Sequence, residues 1–287
     1  MVRSKQIVVV MTASAVLQAG STTASRALVS TYNRASAKLA EEAFVISSGL
    51  RFVRFSDDPG TITLAKRYQS DASGAKANLQ NSNQGSSLVQ VADQGLTSIN
   101  DLLSNAKTLV TDAQTGLYND RQLAEINVTL ADYLNQINTI VTNTTFNDLT
   151  LLDGSVNSTF AVSKYGAGTS TITLTISAAN TTRLFPGGAL NVRTPAAAAT
   201  SLTAVTNAQS LLQQTIADVG AYGERFDEAA NVAASTLGGL NGAADGLLNA
   251  DIPTVTNQQK IDEIRHNAAA ALIAQGGRLS TSLLKLV

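Results

Sequence analysis

The chain has 287 residues and a formal net charge of −1, with 14% of its residues charged against a usual share of about 25%. It has no cysteine, which excludes disulfides and thiolate metal sites, and no tryptophan to anchor a bulky core. No basic patch addresses nucleic acid, and the longest apolar run, Ile7–Met11, falls far short of the ~20 residues of a membrane span.

At the amino end, Met1-Val-Arg-Ser-Lys5 and Ile7–Met11 have the outline of a secretory signal. The apolar core is short, however, and Thr12 and Ser14 interrupt the stretch beyond it, so a removable signal is the lesser reading. A first helix is expected over 15–46, with Leu28, Tyr32, Ala35, Leu39 and Ile46 on one stripe and Glu42 breaking it. Gly49 stops it. Ser56 or Asp57 is expected to cap the next helix, with Pro59 in its first turn.

That second helix is expected over 59–113, its best seam being Val89, Ala92, Leu96, Ile99, Leu103, Ala106 and Val110. Its stretch 70–87 is more polar and carries Gly74 and Gly85. After a turn at Gly116 and Asn119 comes a third helix on Leu123, Ile126, Leu130, Tyr133, Ile137 and Ile140.

From Asn143 to Thr200 the period changes. Phe160–Lys164 and Thr171–Ser177 alternate with period two about a turn at Tyr165–Thr169, a β-hairpin pattern. Leu190 and Val192 are expected in a short extra strand. Residues 202–247 then repeat by three and four: Leu202, Val205, Gln209, Leu212, Ile216, Val219, Gly223, Phe226, Ala230, Ala233, Leu237, Leu240, Ala244 and Leu247. This is a heptad seam. As a helix it would run roughly 70 Å, too long for a globule whose radius of gyration would be near ~19 Å. A break at Asp251–Pro253 precedes a last helix from about 258, lined by Ile261, Ile264, Ala268, Ala271, Leu279, Leu283 and Leu286. The fold class is therefore mainly α: long antiparallel coiled-coil helices from the two ends of the chain, with a small β-hairpin region inserted at mid-chain.

Little in the sequence points to chemistry. His266 is the one histidine; near Asp262 and Glu263 on a helix, it reads as a solvated or subunit-contact residue rather than part of a triad. Asp57-Asp58 read as complements to a helix dipole rather than paired catalytic carboxylates or a cation site. Gly238, Gly239, Gly242 and Gly246 lack the strand and the Lys-Ser/Thr of a phosphate loop, and read as small residues permitting close helix contact. Four Asn-X-Ser/Thr matches, at Asn127, Asn143, Asn157 and Asn180, are expected by chance in so Asn- and Thr-rich a chain. No catalytic, cofactor-binding or metal-ligating residue is assigned.

Ser47-Ser-Gly-Leu-Arg51, Asp57-Asp58, Asn143-Thr-Thr-Phe-Asn147 with Leu151-Leu-Asp-Gly-Ser155, and Ala271-Leu-Ile-Ala-Gln275 with Leu283-Leu-Lys-Leu-Val287 together resemble bacterial flagellin, in order and spacing, over almost the whole chain. Three departures stand out. The family's opening motif is matched only at Met11–Leu17, behind about ten extra residues. Ser56-Asp-Asp-Pro59 is nearer the related hook–filament junction protein. The stretch read by the vertebrate innate receptor for flagellin aligns with Ser104–Leu109, where Asn105, Lys107 and Thr108 stand in place of two arginines and a glutamate, so strong recognition is not expected.

The resemblance implies a non-enzymatic subunit that self-assembles into a flagellar filament outside the cell, with no cofactor, no nucleic-acid partner and no membrane span. Its partners would be copies of itself, the flagellar export apparatus, an export chaperone at the carboxyl end, and hook-associated and cap proteins. Segments 1–46 and 251–287 would be inner-tube helices, 47–142 and 201–250 the two parts of a coiled-coil domain, and 143–200 a small β-rich outer segment. The alternatives are the junction protein and, from another class, a secreted helical-stalk adhesin.

Overall fold

A computed structural model describes the backbone of residues 2–52, 54–165 and 168–284, and side chains over 23–52, 54–163 and 170–278. In chain order the elements are helices α1 (Val2–Ser48), α2 (Pro59–Ala113) and α3 (Asp120–Asn143), then strands β1 (Thr145–Phe146), β2 (Leu149–Thr150), β3 (Asn157–Tyr165) and β4 (Gly168–Thr175). A one-turn helix α4 (Thr181–Leu184) and the long helices α5 (Pro195–Leu248) and α6 (Ile252–Leu284) complete it. The chain divides into two compact units, one of Met1–Gln69 with Asn241–Val287, the other Ser70–Leu240.

The second unit is built on α2 and α5. Along α2 the residues Ala72, Ala75, Ser82, Val89, Ala92, Leu96, Ile99, Leu103, Ala106, Val110 and Ala113 are all buried, stepping by three, four or a full seven as a heptad demands. The seam thus continues through the polar stretch 70–87, carried there by small residues. On α5 the matching row is Ala198, Val205, Leu212, Val219, Phe226 and Ala233, one every seven residues. The helices run antiparallel: Ser86 Oγ lies 3.0 Å from Asp227 Oδ1, while further up α2 Ser104 Oγ accepts from Gln209 Nε2 at 3.4 Å.

The companion row on α5 corrects the expected seam. Ser201, Ala208 and Thr215 are buried, whereas Leu202, Gln209 and Ile216 are half-buried, Leu202 and Ile216 packing at the edge of the core. The two hydroxyls are tolerated there because both are fully used. Ser201 Oγ donates to Asn191 O and accepts from Asn191 N, each at 2.8 Å. Thr215 Oγ1 donates to Leu211 O at 3.1 Å and accepts from Arg183 Nη1 at 3.2 Å. A buried hydroxyl with both roles filled avoids the desolvation penalty that would otherwise exclude it.

Helix α3 packs Leu123, Leu130, Ile137 and Val141 into the same core. Its start is a capping box: Asn119 Oδ1 accepts from Gln122 N and Gln122 Oε1 from Asn119 N, both at 3.0 Å. β1 and β2 close through Asn147 and Asp148, both at positive φ (51° and 63°), the turn form that suits a two-residue hairpin and that Asn and Asp tolerate best. Leu151 and Leu152 then drop into the core. A Cβ at Gly95 would come 2.8 Å from Leu152 Cδ1, and one at Gly85 would come 2.4 Å from the Phe226 ring. Those two glycines are sockets on α2.

β3 and β4 pair antiparallel in register Asn157↔Thr175 to Tyr165↔Gly168, with an irregularity between Ala161 and Ser163. Ile172 and Leu174, and Ile176 just beyond, face the core, and Thr171, Thr173 and Thr175 face out, the alternation expected of a half-covered hairpin. Phe160 meets Phe226 edge-on at 5.1 Å.

No strand forms at Leu190 and Val192, although both are buried. Their stretch is held by side chains instead: Ser201 takes the Asn191 amide and Asn127 Oδ1 accepts from Val192 N at 3.0 Å. With the ladder bonds supplied that way, no partner strand is required. Asn127 and Asn180, the latter capping α4, are thus occupied structurally.

Candidate assembly surface

The first unit contains the paired ends of the chain. Helix α1 starts at Val2, well before the expected residue 15, since residues 2–14 hold neither Gly nor Pro to break it. The outline of a secretory signal there is part of this helix, whose side chains before Thr23 lie outside the described residues. α1 ends at Gly49, which takes φ +72° and donates its N–H to Val45 O at 2.8 Å, a left-handed helix stop.

The next residues meet the start of α6. Leu50 bridges Asn249, with Arg51 N donating to Leu248 O at 2.6 Å and Ala250 N to Gly49 O at 2.9 Å. Ser47-Ser-Gly-Leu-Arg51 therefore serves as a clasp where the chain leaves and re-enters the terminal pair. Asp58, rather than Ser56 or Asp57, caps α2: its carboxylate accepts from Thr61 N at 3.0 Å and from Thr61 Oγ1 at 2.7 Å. Those two hydrogen bonds from Thr61, the hydroxyl's first, hold its pKa below the ordinary aspartate value. Asp57 accepts from Arg54 N at 2.7 Å. The two carboxylates have separate structural tasks, and no group of three His, Cys, Asp or Glu poised for a metal occurs among the described residues.

α6 begins at Ile252 rather than about 258. Asp251 caps it through Thr254 Oγ1 at 2.8 Å, and Pro253 sits in the first turn, where its missing N–H costs nothing. α1 and α6 run antiparallel, Tyr32 stacking on His266 with centroids 4.3 Å apart and Gly49 bonding Ala250. The single histidine is thus a half-buried contact on the helix pair.

Which face of α6 turns inward is the main correction. The expected stripe points away from α1: Ile261, Ile264 and Leu272 are 44%, 69% and 49% exposed, and Ala268 and Ala271 are open as well. The side chains of Leu279 and Leu283, and all of Leu286, lie outside the described residues. The inward face carries Asp262, 1% exposed, with His266 and Ala269. α1, by contrast, turns its expected stripe inward: Ala35 and Val45 are buried and Leu28, Tyr32, Leu39 and Ile46 half-buried, while Val29 and Phe44 stay outside.

Between the helices lies a cleft of about 560 Å³ lined by Lys38, Glu42, Val45, Arg51, Asp251 and Gln258. Asp262 accepts from Gln258 Nε2 at 3.1 Å and from Arg265 Nη1 at 2.8 Å, which together hold its carboxyl acidic, below the usual value. Across from it Glu42 is shifted the other way, first by burial and then by the neighbouring Asp262. Sequence reasoning marked Glu42 only as a break in the stripe and did not single out Asp262. Their juxtaposition depends on inter-helix register, which no local pattern encodes.

The α5 glycines also differ from expectation. A Cβ at Gly238, Gly239, Gly242 or Gly246 would meet nothing within 4 Å among the described residues, so no close helix contact among them explains these glycines. In the second unit, a recess of about 530 Å³ at Asp153, Ser155, Ser177 and Arg183 is similarly poor in free chemistry. Asp153 Oδ1 accepts from Ser155 N at 2.8 Å, and Arg183 Nη1 donates to Ala178 O at 2.7 Å as well as to Thr215. No helix among the described residues is long and apolar enough to cross a membrane.

Comparison with known proteins points to one group of proteins. Residues 20–157 match the family described as the bacterial flagellin N-terminal helical region. Flagellin FlaB2 of Treponema pallidum (strain Nichols) is 24% identical, the match covering 84% of this chain and 90% of that protein. The flagellar filament 30.7 kDa core protein of Treponema maltophilum is 20% identical over the same shares of the two chains. Flagellin of Serratia marcescens is 29% identical over 50% of this chain and 40% of its own. With the matching segments at the clasp and at the docked Leu151-Leu152 turn, the chain is similar to the bacterial flagellins.

Proposed function

We infer that this chain is the structural subunit of a flagellar filament, polymerising with copies of itself and carrying out no catalysis. The observation that carries the reading is the apolar stripe that α6 leaves outside. α6 turns Asp262, His266 and Ala269 toward α1 and leaves Ile261, Ile264 and Leu272 outside, an apolar surface that a lone chain has no reason to keep. Neighbouring copies would cover it. The near-neutral charge offers little repulsion against such association, and the open flank at Gly238–Gly246 leaves room for a neighbouring backbone.

In this reading 1–46 and 251–287 form the inner tube, 47–142 and 201–250 a coiled-coil layer, and 143–200 a short outermost segment. Export would proceed unfolded through the flagellar export apparatus to the extracellular filament, with a chaperone on the carboxyl end and hook-associated and cap proteins at the filament's ends. The absence of cysteine suits a chain threaded through a channel, and no cofactor is needed. The junction protein is disfavoured: Asp58-Pro59, the feature nearest to it, is accounted for as a helix cap, and the relatives above are named as flagellins or filament core proteins.

Sedimentation of the full chain and of a chain ending at residue 253, both seeded with filament fragments, tests the proposal. The full chain should pellet as polymer, and the truncated chain should stay soluble with its α2–α5 core folded by circular dichroism. Equal polymerisation of both would remove α6 from the interface and the reading with it.

A further inference from the structure

The near-neutral total conceals a separation of charge. Thirteen of the chain's 20 Lys and Arg residues, but only eight of its 21 Asp and Glu residues, belong to the first unit, Met1–Gln69 with Asn241–Val287. The first unit is therefore net basic and the second net acidic. Two copies meeting through like units repel each other, whereas a contact between unlike units is attractive.

In each unit one stretch combines that charge with uncovered apolar side chains. In the first it is residues 50–67, where Phe55 is 62% exposed and Leu50 and Leu64 also stand open. Arg51, Arg54 and Lys66 are exposed in the same stretch. Its two acids are already engaged, Asp57 by Arg54 N and Asp58 by Thr61. In the second unit it is residues 112–125, around the turn from α2 into α3. Leu117 there is 87% exposed, and Tyr118 next to it is open as well. Asp112, Asp120 and Glu125 outnumber Arg121 in this stretch, and all four are exposed. The turn has a set shape: Gly116 takes φ +69° and the Asn119–Gln122 capping box starts α3 directly after it. A preorganised turn loses little conformational freedom on docking.

We propose that successive copies join through these two stretches, the acidic turn 112–125 of one copy seated on the basic stretch 50–67 of the next. The occupant is a second copy because each stretch supplies what the other lacks, the opposite charge around an uncovered apolar centre. The contact pairs two different surfaces. It is therefore heterologous, and it leaves one surface of each kind open for a further copy, the arrangement by which an open-ended polymer grows. This contact deepens the filament reading and rests on it, and it is separate from the outer face of α6.

Elongation of filament seeds by the full chain, followed by light scattering, tests the contact. One variant carries Arg54→Glu with Lys66→Glu, and a second carries Asp112→Lys with Glu125→Lys. The unaltered chain should elongate seeds, and more slowly as NaCl rises from about 0.01 M to about 0.15 M, where the screening length falls from roughly 30 Å to roughly 8 Å. Each variant alone should elongate the same seeds about tenfold more slowly or worse, because one addition leaves an end that repels the next copy. An equimolar mixture of the two should recover, since each now offers the charge the other needs. Misfolded chains could not rescue one another in this way. Leu117→Ser should also slow elongation while leaving the helical circular dichroism unchanged. Variants that elongate as fast as the unaltered chain, a mixture as slow as either variant, or an unaltered chain indifferent to salt would each overturn the contact and leave the filament reading standing. An unaltered chain that elongates no seeds would overturn the filament reading and the contact with it.

Discussion

Phe226 shows how much one residue can organise. It is fully buried, meets Phe160 edge-on at 5.1 Å and rests on the face of α2 that Gly85 leaves bare. Phe226→Ala should cost about 3–5 kcal/mol in denaturant unfolding of the second unit, because transfer and cavity terms add. Gly85→Ala should destabilise by about 1–3 kcal/mol by overpacking the same socket. Ser82 gives the opposite sign: its Oγ is buried with no partner, so Ser82→Ala should stabilise by about 1 kcal/mol. Phe226 was legible in the sequence as a seam residue; its glycine socket was not, because a polar stretch with Gly85 reads as weak helix until its partner is known. At the surface, Asn105, Lys107 and Thr108 are all exposed on α2. Reporter cells for the innate flagellin receptor should respond poorly to the chain. Asn105→Arg should raise the response by restoring a bidentate donor; potency equal to an enteric flagellin without that change would contradict the expectation.

At the scale of elements, strong periodicity was readable and polar docking was not. The α2 seam from Val89 to Val110 is buried as expected, and the β3–β4 hairpin stands where period two appears. The misreadings share one cause: apolar character was taken to mean inward. Leu202 and Ile216 outrank Ser201 and Thr215 in hydropathy, yet the hydroxyls are buried because Asn191 and Arg183 satisfy them. Thr215→Val should therefore destabilise despite being more apolar, by about 1–3 kcal/mol, since Arg183 Nη1 loses a buried acceptor; an unchanged melting midpoint would refute that account. α4 was missed because one turn capped by Asn180 carries no periodic signal. Leu190 and Val192 looked like a strand because a buried apolar pair in a loop is indistinguishable from one until Asn127 and Ser201 are seen to take its amides.

For the whole molecule the same error becomes information. On α6 the most apolar stripe, Ile261, Ile264 and Leu272, is the face the chain itself does not use. A sequence shaped by a polymer carries patterns whose partners lie in other copies, so a one-chain structure leaves them open. Timed trypsin digestion should then cut at Lys5, Arg26, Lys260 and Arg265 early in dispersed subunits and late in polymer, while the core on α2, α3 and α5 resists in both. Equal protection in the two states would mean that the terminal helices are covered within one chain. The most direct test of the central claim is electron microscopy of the purified full chain after seeding in ammonium sulfate. Thin, smooth filaments should appear, because only about 60 residues, 143–200, are available to form an outer layer. A field of dispersed particles with no filaments at any seed or salt concentration would contradict the account.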